Sequence, residues 1–208
     1  AQTITATFPV GVLPYGVVMA DNQTAYVSLQ GESAIAIVDI NNGMVRERIT
    51  VPSLPSGLAL WGDFLYVTHF WSGQVSLVYL PQRIVVRTIS TGLDTGLSQS
   101  ISIDNNRGMA YVPQTRSNAQ NPAPTFDSTV FPVVNVLNLN ALNVERGARI
   151  TLDTADRPVN MPFEAVLDRF RQRLYVINAG SDDVSVIDLT SNTALAHLRV
   201  GSNPRAGV

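Results

Sequence analysis

The sequence predicts an all-β fold built from one four-stranded unit that recurs four times. Three observations predict it. A Tyr-Val pair opens a short apolar run four times, at Tyr26-Val27, Tyr66-Val67, Tyr111-Val112 and Tyr175-Val176. Each is followed by a second apolar run ending near an Asp-like position: Val38-Asp39-Ile40, Val78-Tyr79-Leu80, Leu137-Asn138-Leu139 and Ile187-Asp188-Leu189. A corner precedes each pair, at Pro14-Tyr15-Gly16, Pro55-Ser56-Gly57, Ser98-Gln99-Ser100 and Pro162-Phe163-Glu164, and a fifth stands at Pro204-Arg205-Ala206. The corners are 41, 43, 64 and 42 residues apart. Self-similarity near ~40 residues marks a repeat architecture, whose units bury their faces by stacking on neighbours.

Taken in order, residues 1–11 match an outer strand closing a unit: Phe8-Pro9-Val10-Gly11 parallels Leu198-Arg199-Val200-Gly201. Units follow at 12–53, 54–96, 97–160 and 161–201, and residues 202–208 begin another. The second unit has turn formers at Trp61-Gly62-Asp63, Trp71-Ser72-Gly73 and Pro81-Gln82. The third carries two insertions. One adds about fourteen residues around Ser117 to Val130, and one adds about eight around Glu145 to Arg157. The first of these is too polar and too interrupted by proline for a strand, so it reads as an ordered loop or a partner contact. The fourth unit is the clearest. Ala165-Val166-Leu167 is followed by Arg173 to Asn178, then by Asp183-Val184-Ser185-Val186-Ile187-Asp188, which alternates at period two, then by Thr193 to Val200.

Four short antiparallel strands per ~40 residues make one β-propeller blade. The four tyrosines are then read as blade-to-blade packing. The Pro-x-Gly corners turn the chain from one blade's outer strand into the next blade's inner strand, with Pro fixing φ and Gly allowing close approach at the axis. Tyr66-Val67-Thr68-His69, Tyr175-Val176-Ile177-Asn178, Val184 to Leu189 and Val200-Gly201-Ser202-Asn203-Pro204 resemble the repeats of the YVTN β-propeller family. The third copy departs from the signature at Pro113 and Gln114. The resemblance implies a bacterial or archaeal, extracytoplasmic propeller of seven blades, found in surface-layer proteins or beside haem or copper redox domains. Its motif residues are structural, so it transfers no catalytic role. Both ends of the chain fall inside a repeat. The expectation is therefore a single propeller domain or part of one, belonging to a seven-bladed ring, with a small ring of four or five blades as the alternative.

Composition narrows the functional classes. The 208 residues carry a net charge of -2, and charged residues are 14% against roughly 25% in an average domain. No basic patch supports nucleic-acid binding. The absence of cysteine excludes disulfides, thiolate metal sites and covalent c-type haem attachment within the chain. No apolar run reaches the ~18 residues of a membrane helix. Nucleophile elbows, phosphate loops and zinc-protease motifs are missing, and the two histidines lie in different parts of the repeat.

The loop between the second and third strands should share a face with the corners. That face collects His69, Phe70, Trp71, Gln114, Arg116, Phe126, Phe163, Glu164 and Asn178 as candidate binding residues. Trp71 reads as packing on a loop, with stacking on a sugar as the alternative. Glu164 reads as hydrogen-bonded to backbone amides or an arginine, with a functional acid at the channel mouth as the alternative. His69 has no second histidine nearby to make a metal site. Asp182-Asp183 and Asp153/Asp156 offer oxygens for calcium but lack EF-hand spacing. No cofactor is expected in the chain, and no catalytic residue is assigned. The expected function is a non-catalytic binding or scaffold propeller for a protein or cell-surface polymer. The alternative is the propeller portion of a larger redox enzyme whose haem or copper domain lies outside these residues.

Overall fold

In the computed structural model, residues 3–117, 130–140 and 146–207 are described. Among them there is no helix, and hence none long and apolar enough to cross a membrane. The strands form four antiparallel sheets. The first holds β1 (Pro14–Met19), β2 (Thr24–Leu29), β3 (Ala34–Asp39) and β4 (Met44–Thr50), in that order. The second holds β5 (Pro55–Trp61), β6 (Phe64–His69), β7 (Gln74–Tyr79) and β8 (Ile84–Ser90). The third holds β10 (Ser102–Asp104), β11 (Met109–Ser117), β12 (Val130–Asn138) and β13 (Arg146–Thr151), with a short β9 (Thr95–Gly96) paired to β11. The fourth holds β14 (Pro162–Asp168), β15 (Arg173–Asn178), β16 (Asp183–Asp188) and β17 (Thr193–Arg199).

The core lies between the sheets. Successive residues of a strand point to opposite faces, so each sheet sends one set of side chains forwards and one backwards. Tyr26, Ile35 and Ile37 of the first sheet meet Leu65, Val67 and Val78 of the second. Tyr66, Val75 and Leu77 of the second meet Ala110, Val112 and Leu137 of the third. Tyr111, Val134 and Val136 of the third meet Leu174, Val176 and Ile187 of the fourth. The signature tyrosine faces the following sheet at all three junctions, as its packing role requires. Burial pushes the Tyr66 hydroxyl pKa up to about 12.

The Asp-like position shapes the turn after the third strand. Asp39 accepts from the amides of Asn41 and Asn42, Asn138 from Asn140, and Asp188 from Thr190. These are Asx-turns. Tyr79 lacks the oxygen, and there the Arg83 amide bonds the Tyr79 carbonyl at 2.8 Å instead.

The corners bring the inner strands into contact. A Cβ on Gly16 would stand 2.3 Å from Ser56 O, and one on Gly57 would stand 2.5 Å from Ser100 Cα. Only a residue without a side chain permits that approach. Just before each corner stands a residue with left-handed φ: Leu13 (51°), Leu54 (52°), Leu97 (56°), Met161 (51°) and Asn203 (51°). None of these is glycine, and the turn recurs at every corner.

Four features depart from expectation. Residues 3–11 form no strand; they run along the first sheet, with Phe8 against Gly43 and Val10 in the cluster of Ala25, Ala36 and Val38. The third sheet begins before residue 97, because β9 joins it. The second insertion lies later than expected, since Arg146–Thr151 is the outer strand itself and the extra residues follow it. The first insertion is partly strand: β11 and β12 extend to a pairing of Ser117 with Val130. Most of that insertion, including Phe126, lies outside the described residues.

Candidate binding face

The loops between second and third strands do share a side of the molecule with the corners. Gln30 N bonds Leu13 O, Phe70 N bonds Leu54 O, Ser98 N bonds Phe70 O and Ala179 N bonds Met161 O, all within 3.2 Å. The residues singled out in the sequence divide into two groups on this side.

His69, Gln114 and Asn178 are not on the surface. All three are fully buried. They occupy the fourth position of the signature, and each bonds a polar residue on the neighbouring third strand. His69 Nε2 meets Ser76 Oγ at 2.8 Å, Asn135 Nδ2 donates to Gln114 Oε1 at 2.5 Å, and Asn178 Nδ2 donates to Ser185 Oγ at 2.8 Å. In the first sheet both positions are apolar, Leu29 and Ala36, and both are buried. A buried polar group needs a partner, so the two positions change together. His69 Nδ1 lies 3.1 Å from Ser53 O. The ring thus donates from Nδ1 and accepts from the serine hydroxyl at Nε2, the arrangement of a neutral imidazole. Burial holds its pKa below the ordinary value, against a weaker upward pull from the Ser53 and Pro52 carbonyls.

The third signature position ties sheet to sheet. Ser28 Oγ accepts from Gly16 N at 2.8 Å and donates to Ser56 O at 2.6 Å. Thr68 Oγ1 accepts from Gly57 N at 2.8 Å and reaches Ser98 O at 3.4 Å. Pro113 and Ile177 supply no hydroxyl. There the corner glycine is replaced by Ser100, whose hydroxyl is buried without a partner among the described residues, and by Glu164.

Glu164 Oε2 accepts from Gly207 N at 3.0 Å. Its neighbour Phe163 lies under the Arg205 guanidinium, 5.6 Å from the ring centroid. Phe163, Glu164 and Arg205, with Gly16, Gly57, Gln99 and Ser100, border a groove of ≈ 250 Å³. The Tyr15 hydroxyl donates to Gln99 Oε1 at 2.7 Å. No second carboxylate lines the groove among the described residues, so Glu164 has no acid partner there for paired-carboxylate chemistry.

The exposed part of the face centres on Trp71. Its side chain is 66% exposed, although Phe70 meets it edge-on with centroids 4.7 Å apart. It therefore does not pack away under a loop. Beside it the connection from β8 to β10 is longer than its counterpart in the first unit. That connection presents Leu93, fully exposed, and Asp94, then pairs Thr95 and Gly96 with Arg116 and Thr115. Arg116 binds Asp94 and stands 5.5 Å from the Phe131 ring centroid. Burial pushes the Asp94 carboxyl pKa up, but Arg116 and Arg149 outweigh it and hold the group below its usual value. From Asp94 a polar chain runs inward. Arg149 Nη2 lies 3.4 Å from Asp94 Oδ1, Arg149 Nε donates to Asn135 Oδ1 at 3.0 Å, and Asn135 leads to Gln114 and on to Ser98 Oγ. Sequence reasoning missed Leu93, Asp94 and Arg149. The signal was the long stretch from Ser90 to Ser98, but a first hairpin one residue shorter in the same unit masks it in the corner spacing.

Elsewhere, His197 is buried between Asp156 and the Leu152 carbonyl, 2.8 Å from its Nε2. Arg157 Nη2 donates to His197 O at 2.8 Å. Together they strap the segment after β13 onto the fourth sheet. Among the described residues, no three His, Asp or Glu side chains converge as a metal ion would require.

The repeated sheets, their corners and the tyrosine junctions define a β-propeller-like chain. No family model matches it, and no curated protein matches it. Solved structures are similar in fold. A chain of hydrazine synthase from Kuenenia stuttgartiensis aligns at 22% identity and TM-score 0.71, over 99% of this chain and 54% of that one. The β-propeller domain of Cps50 (Swd1) from Myceliophteria thermophila aligns at 12% identity and TM-score 0.66, over 96% and 59%. A candidate 6-phosphogluconolactonase from Bacteroides uniformis aligns at 12% identity and TM-score 0.67, over 93% and 56%. This chain thus spans between about half and three fifths of the length of these structures. At such identities the likeness concerns the fold alone.

Proposed function

We propose that the chain is a non-catalytic, extracytoplasmic propeller module of the YVTN type that presents its corner face to a protein or a surface polymer. One observation carries the reading. The polar residues of the signature are turned inward and each makes a side-chain hydrogen bond, with only Asn178 Oδ1 left without a partner among the described residues, while Leu13, Trp71, Leu93 and Met161 stand exposed on that face. Exposed large apolar groups set beside a cluster of loops mark candidate interaction surfaces. The opposite side also exposes apolar groups, Met19, Met44, Ile84 and Phe170, and Phe170 on the β14–β15 turn serves as an internal comparison. A photo-reactive residue placed at Leu93, and separately at Phe170, tests the assignment in the source cells. Adducts from position 93 and none from 170 support it; adducts from 170 alone reject it.

A second reading rests on the alignment to 54% of a hydrazine synthase chain. In it the chain is the propeller portion of a larger enzyme whose haem or copper domain lies outside these residues. A haem or copper absorption band in the purified product of the complete gene supports this reading, and its absence rejects it.

A further inference from the structure

We propose that the cleft between Trp71 and the β9–β11 pairing is a saccharide subsite that takes a neutral pyranose unit of a polysaccharide. The inference rests on the reading of the corner face as a binding surface, and it names the ligand. The cleft has a volume of ≈ 320 Å³ and is lined by Trp71, Leu93, Asp94, Thr95, Thr115 and Ser117, among others. That volume falls within the range of small-ligand sites.

Three properties select a sugar. First, Trp71 is exposed and carried on a held backbone. Phe70 meets its ring edge-on, the Phe70 backbone is bonded on both sides to Leu54 and Ser98, and a Cβ on Gly96 would stand only 2.9 Å from Trp71 O. An exposed indole so placed offers a flat surface for stacking. Its π face is electron-rich, and the C–H face of a pyranose is the weakly positive apolar surface that suits it. Second, the opposite wall offers hydroxyls. Thr115 is half-buried and Ser117 exposed, and neither side chain makes a hydrogen bond among the described residues. Each hydroxyl both donates and accepts, which matches a ligand whose own groups are hydroxyls. Third, Asp94, the charged residue of the lining, lies against two guanidiniums, Arg116 and Arg149, so its carboxylate does not select a cation. The carboxylate still has lone pairs free to accept from a sugar hydroxyl.

The test is affinity electrophoresis of the full chain in gels containing soluble glucan, xylan or galactomannan, followed by tryptophan-fluorescence titration with any polymer that retards it. Retardation by at least one polymer is expected. Trp71→Ala should weaken it about tenfold, as for an aromatic anchor. Thr115→Val should weaken it several-fold, and Trp71→Phe should retain part of it. Thermal unfolding of the variants confirms that they fold. No retardation by any of the three polymers overturns the proposal, and so does retardation that Trp71→Ala leaves unchanged. If Leu93 cross-links to a protein while all three polymers fail, the corner face is a protein-docking surface and the saccharide assignment alone falls.

Discussion

At the scale of single residues, the pairing of His69 with Ser76 gives a sharp expectation. Ser76→Ala leaves the His69 Nε2 lone pair buried without a donor, and His69→Leu leaves the Ser76 hydroxyl without its partner. Each change should cost about 1–3 kcal/mol. Combined, they recreate the Leu29/Ala36 solution of the first sheet, so the double variant should lose less than the sum. Urea unfolding of the four proteins measures the coupling. His69 also sets a pH dependence. Its folded pKa is depressed below the ordinary 6.5, so the unfolded ring takes up a proton that the buried ring resists. Its contribution is fully present above pH 6.5 and is lost as pH falls below that value. His69→Leu/Ser76→Ala should flatten this part of the stability profile. Asp156 adds a second, more acidic limb. The hydrogen bond with His197 holds its carboxyl below the usual 3.8. The strap it makes is present above pH 3.8 and weakens as pH falls further, and Asp156→Asn should remove that limb.

At the scale of elements, much was legible in the sequence and some was not. The Tyr-Val pairs located the second strands because a half-buried strand writes its period directly into residue type. Tyr26, Tyr66 and Tyr111 pack between sheets as expected, and the corner glycines made the close approaches that their lack of a side chain permits. Gly57→Ala tests this: its Cβ has no room against Ser100, and an overpacking cost of roughly 1–3 kcal/mol is expected. Gly62→Ala is the comparison. Its φ is +57° but its surroundings are open, so only the left-handed backbone penalty of roughly 1–2 kcal/mol applies. The candidate site was less legible. His69, Gln114 and Asn178 looked like surface groups because polar residues at loop edges usually are. Their partners lie seven residues on for His69 and Asn178, but 21 residues on for Gln114, beyond the first insertion. Only the register of the strands shows that these are the same contact. Asp94 and Arg149 are 55 residues apart, and nothing in their local sequence announces the meeting.

At the scale of the whole molecule, the four sheets are alike in sequence but unlike in surroundings. Tyr66 is covered by the third sheet. Tyr175, at the same signature position, lines an open apolar hollow of ≈ 280 Å³ with Val166, Ile177 and Val184, closed on one side by Pro204 to Gly207. Tyr66→Ala should therefore cost about 3–5 kcal/mol in this chain, whereas Tyr175→Ala should cost clearly less. Chemical denaturation of the two variants decides. Equal losses would mean that the fourth sheet is covered in solution.

The two kinds of polar contact at the signature have different consequences if a blade is copied or moved. The pair formed by the fourth signature residue and the third strand is internal to its blade, so it travels intact with a duplicated segment. The Ser28 and Thr68 hydroxyls instead end on a neighbour's carbonyl, so each is spent on a junction. Where Pro113 and Ile177 stand, that junction has lost its hydroxyl and the adjoining corner has lost its glycine. The acceptor is a backbone carbonyl, which any neighbouring unit offers, so the third signature position joins sheets without choosing between them, while the fourth sets what each sheet must carry within itself.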